Sequence, residues 1–450
     1  MAHVIKIKKG LDIHLKGKAL DVLLTGGKSD SYAIVPGCYD GILPKVVAKA
    51  GDKVKAGSVL LYDKNHPEIK FVSPVSGEVT AINRGEKRKV LSVVVKPDAE
   101  ILYEDFGKKK VSSLTREAIR EAILQAGLWP FIKQRPYDIV ASPAETPRDI
   151  FVSTFYSAPL APNFDFIIKG QEADFQTGLE ALSRLTKGKV YVGIKNGSSL
   201  KVSGVETVSV EGPHPAGNAG VLINHTKPVN KGEVVWTIRP DDVILIGRLF
   251  NKGIADFSRL VAITGSETTE RGYIKTIAGC TVKSLVKGKL LSSGDGEVRI
   301  ISGNVLTGKK VEEEDYLGAY DNQITAIPEG GGTHEFLGWA MPGLDKYSAG
   351  RTFLSWLIGK KKEYRIDART KGGKRAMIMS NEYDRVFPMD IFPEYLLKAI
   401  ISFDIDKMEN LGIYEVAPED FALCEFVDTS KIEIQKIVRG GLDLLYREMN

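Results

Sequence analysis

The sequence predicts a multidomain protein of mixed β and α/β class: a small β barrel or sandwich, an α/β sheet, a second β module and a helical tail. Three observations carry that reading. Turn-and-strand patterns repeat within residues 34–96, the hydrophobic period lengthens past Lys108-Lys109-Lys110, and strand-sized runs return between Arg259 and Pro328.

One half of the repeat runs Pro36-Gly37, Gly41 and Gly51-Asp52-Lys53-Val54. The other runs Ser73-Pro74, Gly77-Glu78-Val79, Gly85-Glu86 and Val90–Val95. Each reads as turn, short strand, Gly-Asp or Gly-Glu turn, short strand, with glycine where a tight turn needs positive φ. Past the lysines, Thr115 precedes the stripe Ile119, Ala122, Ile123 and Ala126, an amphipathic helix that Gly127 can end. Strands are expected near Asp165–Ile168, Val190–Ile194 and Val205–Val210, with a helix through Phe175, Leu179, Leu182 and Leu185 between the first two. Val234–Ile238 and Val243–Ile246 continue the strand series. A strand pair, a short helix at Thr281–Val286 and further strands suit a β-grasp module. In the tail after Pro393, Ser430 and Glu433 form a capping box ahead of Ile434, Ile437, Val438 and Leu445. Gly440-Gly441 inside that helix predicts a close approach.

A chain of 450 residues suits about three domains. Its 43% hydrophobic and 26% charged content excludes disorder, and a net charge of +5 is too small for a nucleic-acid coat. The opening MAHVIKIKKGLD has no signal-peptide core, and the greasiest runs fall short of the ~18 residues that span a bilayer. Cys38, Cys280 and Cys424 cannot build a four-thiolate centre and suggest a reducing compartment.

The usual chemical motifs are missing. No G-x-G-x-x-G follows a strand, no Walker loop exists, and the glycine-dense strings Gly212 to Gly220 and Gly330-Gly331-Gly332 lack a strand–turn–helix setting. Bulky residues fill the turn Trp129 to Pro136, where a phosphate needs bare amides. His214 and His225 have no partner cysteines, and His3, His14, His66 and His334 stand alone, so no metal is expected. No G-x-S-x-G elbow supports a hydrolase, and Glu312-Glu313-Glu314 reads as a solvated turn. The basic clusters (Lys6 to Lys18, Lys108–Lys110, Lys360–Lys362, Arg369 to Arg375) lack interleaved aromatics. They read as solvated loops or contacts to anionic headgroups, with no nucleic acid as partner.

Residues 36–79, PGCYDGILPKVVAKAGDKVKAGSVLLYDKNHPEIKFVSPVSGEV, resemble a biotinyl/lipoyl-type fold. Lys64 is nearest to the carrier lysine of that fold, but neither Met-Lys-Met nor Asp-Lys-Ala surrounds it, so a structural module is expected. Longer strings then match one family in order: IKIKKGLDIHLKGK, AGLWPFIKQRP, EGPHPAGNAG, VVWTIRPDDVILIGRLF, ISGNVLTG with YLGAYDNQ, FLGWAMPG, and YDRVFPMDIFPEYLLKAI with DFALCEFV. Across essentially its whole length the chain resembles the NqrA family of the Na⁺-translocating NADH:quinone oxidoreductase. More distantly it is similar to the RnfC component of the Rnf complex and to the NADH-binding flavoprotein of respiratory complex I.

The resemblance implies four regions. They are a biotinyl/lipoyl-like barrel-sandwich hybrid with its N-terminal β region (1–105), a Rossmann-like α/β domain without nucleotide motifs (106–255), a β-grasp, SLBB-like domain (256–330) and a mainly helical domain (331–450). It also implies a peripheral component on the cytoplasmic side of the bacterial inner membrane, one of six, docked on the membrane protein NqrB. The complex as a whole would use FAD, FMN, riboflavin and Fe–S centres to reduce a quinone with NADH, while this chain binds no cofactor and supplies no catalytic residue. The alternative is a flavin- or Fe–S-bearing subunit of the Rnf or complex I type. Against it, Gly127-Leu128-Trp129-Pro130-Phe131 would place rings where the relatives hold flavin phosphate, and of a cysteine-rich tail only Cys424 remains, with Asp428 where a second thiol is often seen. A quinone headgroup needs an apolar slot and hydrogen-bond donors. Trp129, Phe131, Lys133, Gln134 and Arg135 supply those types, as do His214, Tyr32 and Tyr39. Arg135 is also placed to pair with Asp138.

Overall fold

In a computed structural model the chain is described over residues 4–291, 296–331, 341, 343–358 and 362–449. His3, Gly332, His334, most of FLGWAMPG and Lys360–Lys361 lie outside these residues.

Strand β1 (Val4–Lys6) is followed by the seven short strands of the barrel-sandwich: β2 (Tyr32–Ile34), β3 (Pro44–Val46), β4 (Lys53–Val54), β5 (Val59–Asp63), β6 (Lys70–Val72), β7 (Gly77–Arg84) and β8 (Val90–Pro97). They form two sheets, ordered β2-β8-β7-β4 and β3-β5-β6, closed over a core that includes Leu60, Val75, Val79 and Val93. Gly77 takes φ +154° where the backbone approaches Lys96: a Cβ there would lie 1.9 Å from the Lys96 carbonyl oxygen. Lys64 follows β5 directly and is exposed.

The α/β domain runs α1 (Arg116–Gln125), β9 (Lys133–Arg135), β10 (Ile139–Val140), β11 (Ile150–Ser153), α2 (Phe164–Ile167), α3 (Glu172–Leu185), β12 (Val190–Lys195), β13 (Glu206–Glu211), α4 (Ala219–Thr226), β14 (Val235–Thr237) and α5 (Pro240–Lys252). Its sheet has the order β1-β13-β12-β11-β14-β9-β10, parallel from β1 to β14 and antiparallel at β9 and β10. The first strand of the chain therefore closes the far edge of this sheet rather than joining the barrel.

Two expected strands are helical. Residues 165–168 fall in and just after α2, because the Asn163 side chain accepts from the Asp165 N–H at 3.1 Å and Phe164 and Ile167 both turn inward. Val243–Ile246 lies within α5, which Pro240 starts and Gly253 (φ +76°) ends. Every residue from Pro240 to Phe250 is buried, so the helix shows no polar face for periodicity to detect.

The β-grasp module comprises β15 (Ser258–Thr264), β16 (Gly272–Ile277), α6 (Val282–Val286), β17 (Val298–Ser302), β18 (Lys309–Val311) and β19 (Gln323–Pro328), with sheet order β16-β15-β19-β17-β18. The tail carries α7 (Pro393–Ile401), α8 (Ile405–Asn410), α9 (Ala422–Val427) and α10 (Ile434–Met449). The Ser430 hydroxyl donates to the Ala376 carbonyl instead of capping α10, and the free Gln435 N–H is met by the Glu425 carboxylate at 2.8 Å. Of the glycine pair, Gly441 is the close approach: a Cβ there would lie 2.9 Å from Ile400, whereas Gly440 faces open space.

Candidate functional site

The 3₁₀ turn Trp129–Phe131 and strand β9 position the segment singled out by sequence. Trp129 is fully buried; its Nε1–H donates to the Ala141 carbonyl at 2.7 Å, and its ring meets Trp236 edge-on at 5.2 Å. Phe131 belongs to an aromatic cluster with Tyr39 at 6.4 Å, Tyr320 at 6.0 Å and Phe257 at 6.4 Å. Tyr39 in turn meets Phe71 at 4.8 Å and Tyr320 at 5.5 Å. Within this cluster the open space is only about 30 Å³, room for about one water and far below a ligand pocket.

Along β9 the side chains alternate. Lys133 sits 3.2 Å from Asp138 and 3.7 Å from Asp40, with its ammonium 5.2 Å from the Tyr320 ring centre. Burial alone would lower its pKa, but the carboxylates of Asp138, Asp40 and Glu419 outweigh it and hold the lysine above its ordinary value. Arg135 does not take Asp138 as its ion-pair partner. Its guanidinium crosses to the C-terminal domain, 2.9 Å from Asp420 and 3.7 Å from Glu419, and donates to the Glu415 carbonyl. No short-range spacing could announce a partner 285 residues away.

Gln134 lies between those two cations on the strand and borders a different space. A cavity of about 450 Å³ opens where barrel, α/β and C-terminal domains meet, lined by Asp63, Ile69, Gln134, Tyr137, Tyr414 and Tyr446 among others. The Gln134 Oε1 accepts the Ser142 N–H at 2.7 Å, and its amide nitrogen has no acceptor among the described residues. Asp63 is fully buried, with Oδ1 on the Leu43 N–H at 2.8 Å and Oδ2 without a hydrogen-bond partner among the described residues.

Tyr32 and His214 sit elsewhere. Tyr32 bridges backbone to backbone with Cys280, and its hydroxyl accepts the Ser29 N–H at 3.4 Å. His214 is 4% exposed, and its Nδ1 lies 3.0 Å from the Ser157 hydroxyl, which also accepts the Gly217 N–H. Desolvation lowers the His214 pKa to about 4. The unfolded chain therefore binds a proton that the fold refuses between pH 6.5 and about 4. Stability contributed by His214 is complete above pH 6.5 and declines as pH falls toward 4, by at most about 3 kcal/mol. Urea midpoints measured from pH 7 to pH 4.5 are expected to fall less steeply in His214→Gln than in the native chain.

The crevice of the sheet holds a buried network that sequence reasoning missed. Open α/β sheets hold ligands at the carboxyl ends of their strands where chain order reverses, here between β11 and β14. Asp241 and Asp242 occupy the first turn of α5 at that place. Asp241 accepts from the Tyr156 hydroxyl and from Asn322 at 2.9 Å, and Asp242 lies 3.3 Å from Arg259. Burial raises the Asp242 pKa to about 7 despite Arg259 and Arg239, and Asp241 adds to the rise. Arg239 reaches the Tyr320 carbonyl and lies over the Tyr156 ring at 5.6 Å. At α4 the Asp420 carboxylate packs on Gly220, where a Cβ would lie 2.4 Å away. Carboxylates thus stand where helix amides would draw a phosphate, so neither helix start fits a nucleotide or flavin phosphate. The string Arg239-Pro240-Asp241-Asp242 offered one signal, a proline and two acids opening a helix, which the strand reading passed over. Among the described residues no group of three His, Cys, Asp or Glu side chains could hold a metal ion.

Fold and crevice together define an α/β protein whose anion seats are filled by its own carboxylates, flanked by a barrel-sandwich and a β-grasp module. Residues 5–98 match the NqrA N-terminal barrel-sandwich hybrid domain, 114–255 the NqrA second alpha/beta domain and 260–313 the NQRA C-terminal domain, an SLBB type. Full-length similarity extends to the Na(+)-translocating NADH-quinone reductase NqrA protein of Neisseria meningitidis serogroup A, 38% identical over 99% of this chain and 100% of that one. The proteins of the same name from Pasteurella multocida and Vibrio parahaemolyticus are each 37% identical over the same shares. The chain belongs to the NqrA family, whose members are subunits of the Na(+)-translocating NADH-quinone reductase, an oxidoreductase complex.

Proposed function

We propose that this chain is the peripheral component of a sodium-pumping NADH:quinone oxidoreductase that helps form the place where quinone is met and reduced. It carries no redox centre, and electrons arrive from flavins and Fe–S centres on neighbouring subunits. Its docking partner is the membrane protein NqrB, on the cytoplasmic face of a six-subunit assembly. The names of its relatives support membership of such a complex, and no helix among the described residues is long and apolar enough to cross a membrane.

The observation that carries the quinone reading is the cavity of about 450 Å³ beside Gln134. It falls in the size range of small-molecule sites, has tyrosine and isoleucine walls, and is bordered by an amide donor suited to a quinone carbonyl. Of the eight candidate residues, Gln134 borders this space. Trp129, Phe131, Arg135 and Tyr39 are buried and do not line it.

Duroquinone titrated into the purified chain, followed by intrinsic fluorescence, is expected to saturate. Gln134→Ala should weaken that binding about fivefold, the worth of one hydrogen bond. Unchanged affinity, with unchanged quinone reduction in the assembled complex, would remove the cavity from quinone chemistry.

A further inference from the structure

One wall of the cavity is a turn in an unfavourable backbone conformation. Tyr137 has φ +81° and Asp138 φ +51°. Asp tolerates the left-handed region, whereas a bulky side chain such as tyrosine seldom enters it and stays only where its surroundings hold it there. The holding groups come from the other end of the chain. Arg439 on α10 donates through Nη2 to the Tyr137 carbonyl at 2.7 Å and through Nη1 to the Asp138 carbonyl at 3.2 Å. Asp443, one turn along, fixes the guanidinium by accepting from its Nε at 2.9 Å. From the same helix, Tyr446 meets the Tyr137 ring edge-on at 5.2 Å, and both rings line the cavity.

We infer that Arg439 is a positioning residue: its two-pronged grip on the 137–138 carbonyls holds the left-handed turn and so sets the shape and affinity of the cavity. The inference rests on the quinone reading above for its ligand and on the geometry alone for the grip. Removing the guanidinium takes a hydrogen bond from each of the two carbonyls of the left-handed turn, which lets the Tyr137 backbone relax toward extended conformations. Its ring would then leave the face it shares with Tyr446. The C-terminal helix thereby reports its docked state to a site built mostly from other domains.

A double-mutant cycle on the full chain tests this, using duroquinone as probe and hydrogen exchange of peptides covering residues 133–140 as a second readout. Arg439→Ala is expected to weaken duroquinone at least about fivefold and to speed exchange in the turn. Arg439→Lys, able to reach one carbonyl at a time, should lie between. In a Tyr137→Gly background, where φ +81° is free of penalty, the further loss from Arg439→Ala should shrink to within about twofold. Equal losses in both backgrounds, or exchange unchanged by Arg439→Ala, would overturn the inference. If Arg439→Ala does not fold, the same comparison with Arg439→Lys decides it by the same criteria. If duroquinone fails to bind the native chain while exchange still speeds in Arg439→Ala, the quinone reading falls, and with it the assigned effect on affinity, though the grip itself stands.

Discussion

Arg135→Ala is expected to cost about 3–5 kcal/mol, the usual penalty for removing one partner of a buried ion pair. Arg135 is 1% exposed and Asp420 is 2% exposed, so water cannot replace the lost guanidinium. Asp420 is left with the Ala417 N–H at 2.9 Å as its remaining donor. Burial already raises the Asp420 pKa, with Arg135 pulling the other way. Without Arg135 the carboxyl should take up a proton, so the loss should be largest at high pH and shrink as pH falls. Thermal melts of Arg135→Ala at pH 8 and pH 5.5 check both statements. The double variant Arg135→Ala/Asp420→Ala should lose less than the two single losses added together. Because the pair joins β9 to the 418–421 turn, the first consequence should be undocking of the C-terminal domain, visible as new proteolysis between the two.

Trp129→Ala should be comparably severe, about 3–5 kcal/mol for emptying the space of a buried indole. The ring is fully buried against Trp236, and its loss also strands the Ala141 carbonyl that accepts its N–H at 2.7 Å. Trp129→Phe should recover much of the packing and none of the hydrogen bond. Chemical denaturation of the two variants beside the native chain orders them. If quinone binding falls in Trp129→Ala in proportion to the folded fraction, the indole acts through the fold. A loss in fully folded Trp129→Phe would instead show that the indole shapes the cavity wall through its hydrogen bond to Ala141, between the lining residues Val140 and Ser142.

How much of this was legible in the sequence depended on the range of the interactions. The barrel repeat, the helix ended by Gly127, the parallel strands near 190 and 206 and the β-grasp succession rest on local period and turn chemistry, and the structure has them. The failures at 165–168 and 243–246 have different causes. Every residue of 243–246 is buried, which leaves no polar face for periodicity to find, whereas α2 is a single turn, too short to show a period, with Asp165 and Phe166 half-buried. The N-cap Asn163 and the first-turn Pro240 were the better signals. The candidate segment was found as a segment, but the roles within it were not readable. Whether Gln134 or Phe131 meets open space depends on Tyr320, Asp420 and Tyr446, which reach it from far along the sequence. Nearness in sequence makes Asp138 a natural partner for Arg135, yet Asp138 pairs with Lys133.

The path of residues 4–27 bears on the order of assembly. Ile7 N–H bonds to Glu211, Leu11 N–H to His214, Gly10 N–H to Arg385, Lys16 N–H to Tyr364, Leu24 N–H to Tyr273 and Gly27 N–H to Ser284. All these partners are synthesised long after the segment that needs them. The opening stretch must therefore wait, unpaired, while the ribosome produces at least two further units, and it threads into place as a late seam across all of them. On refolding, the amides of this seam should be the last to gain protection from hydrogen exchange.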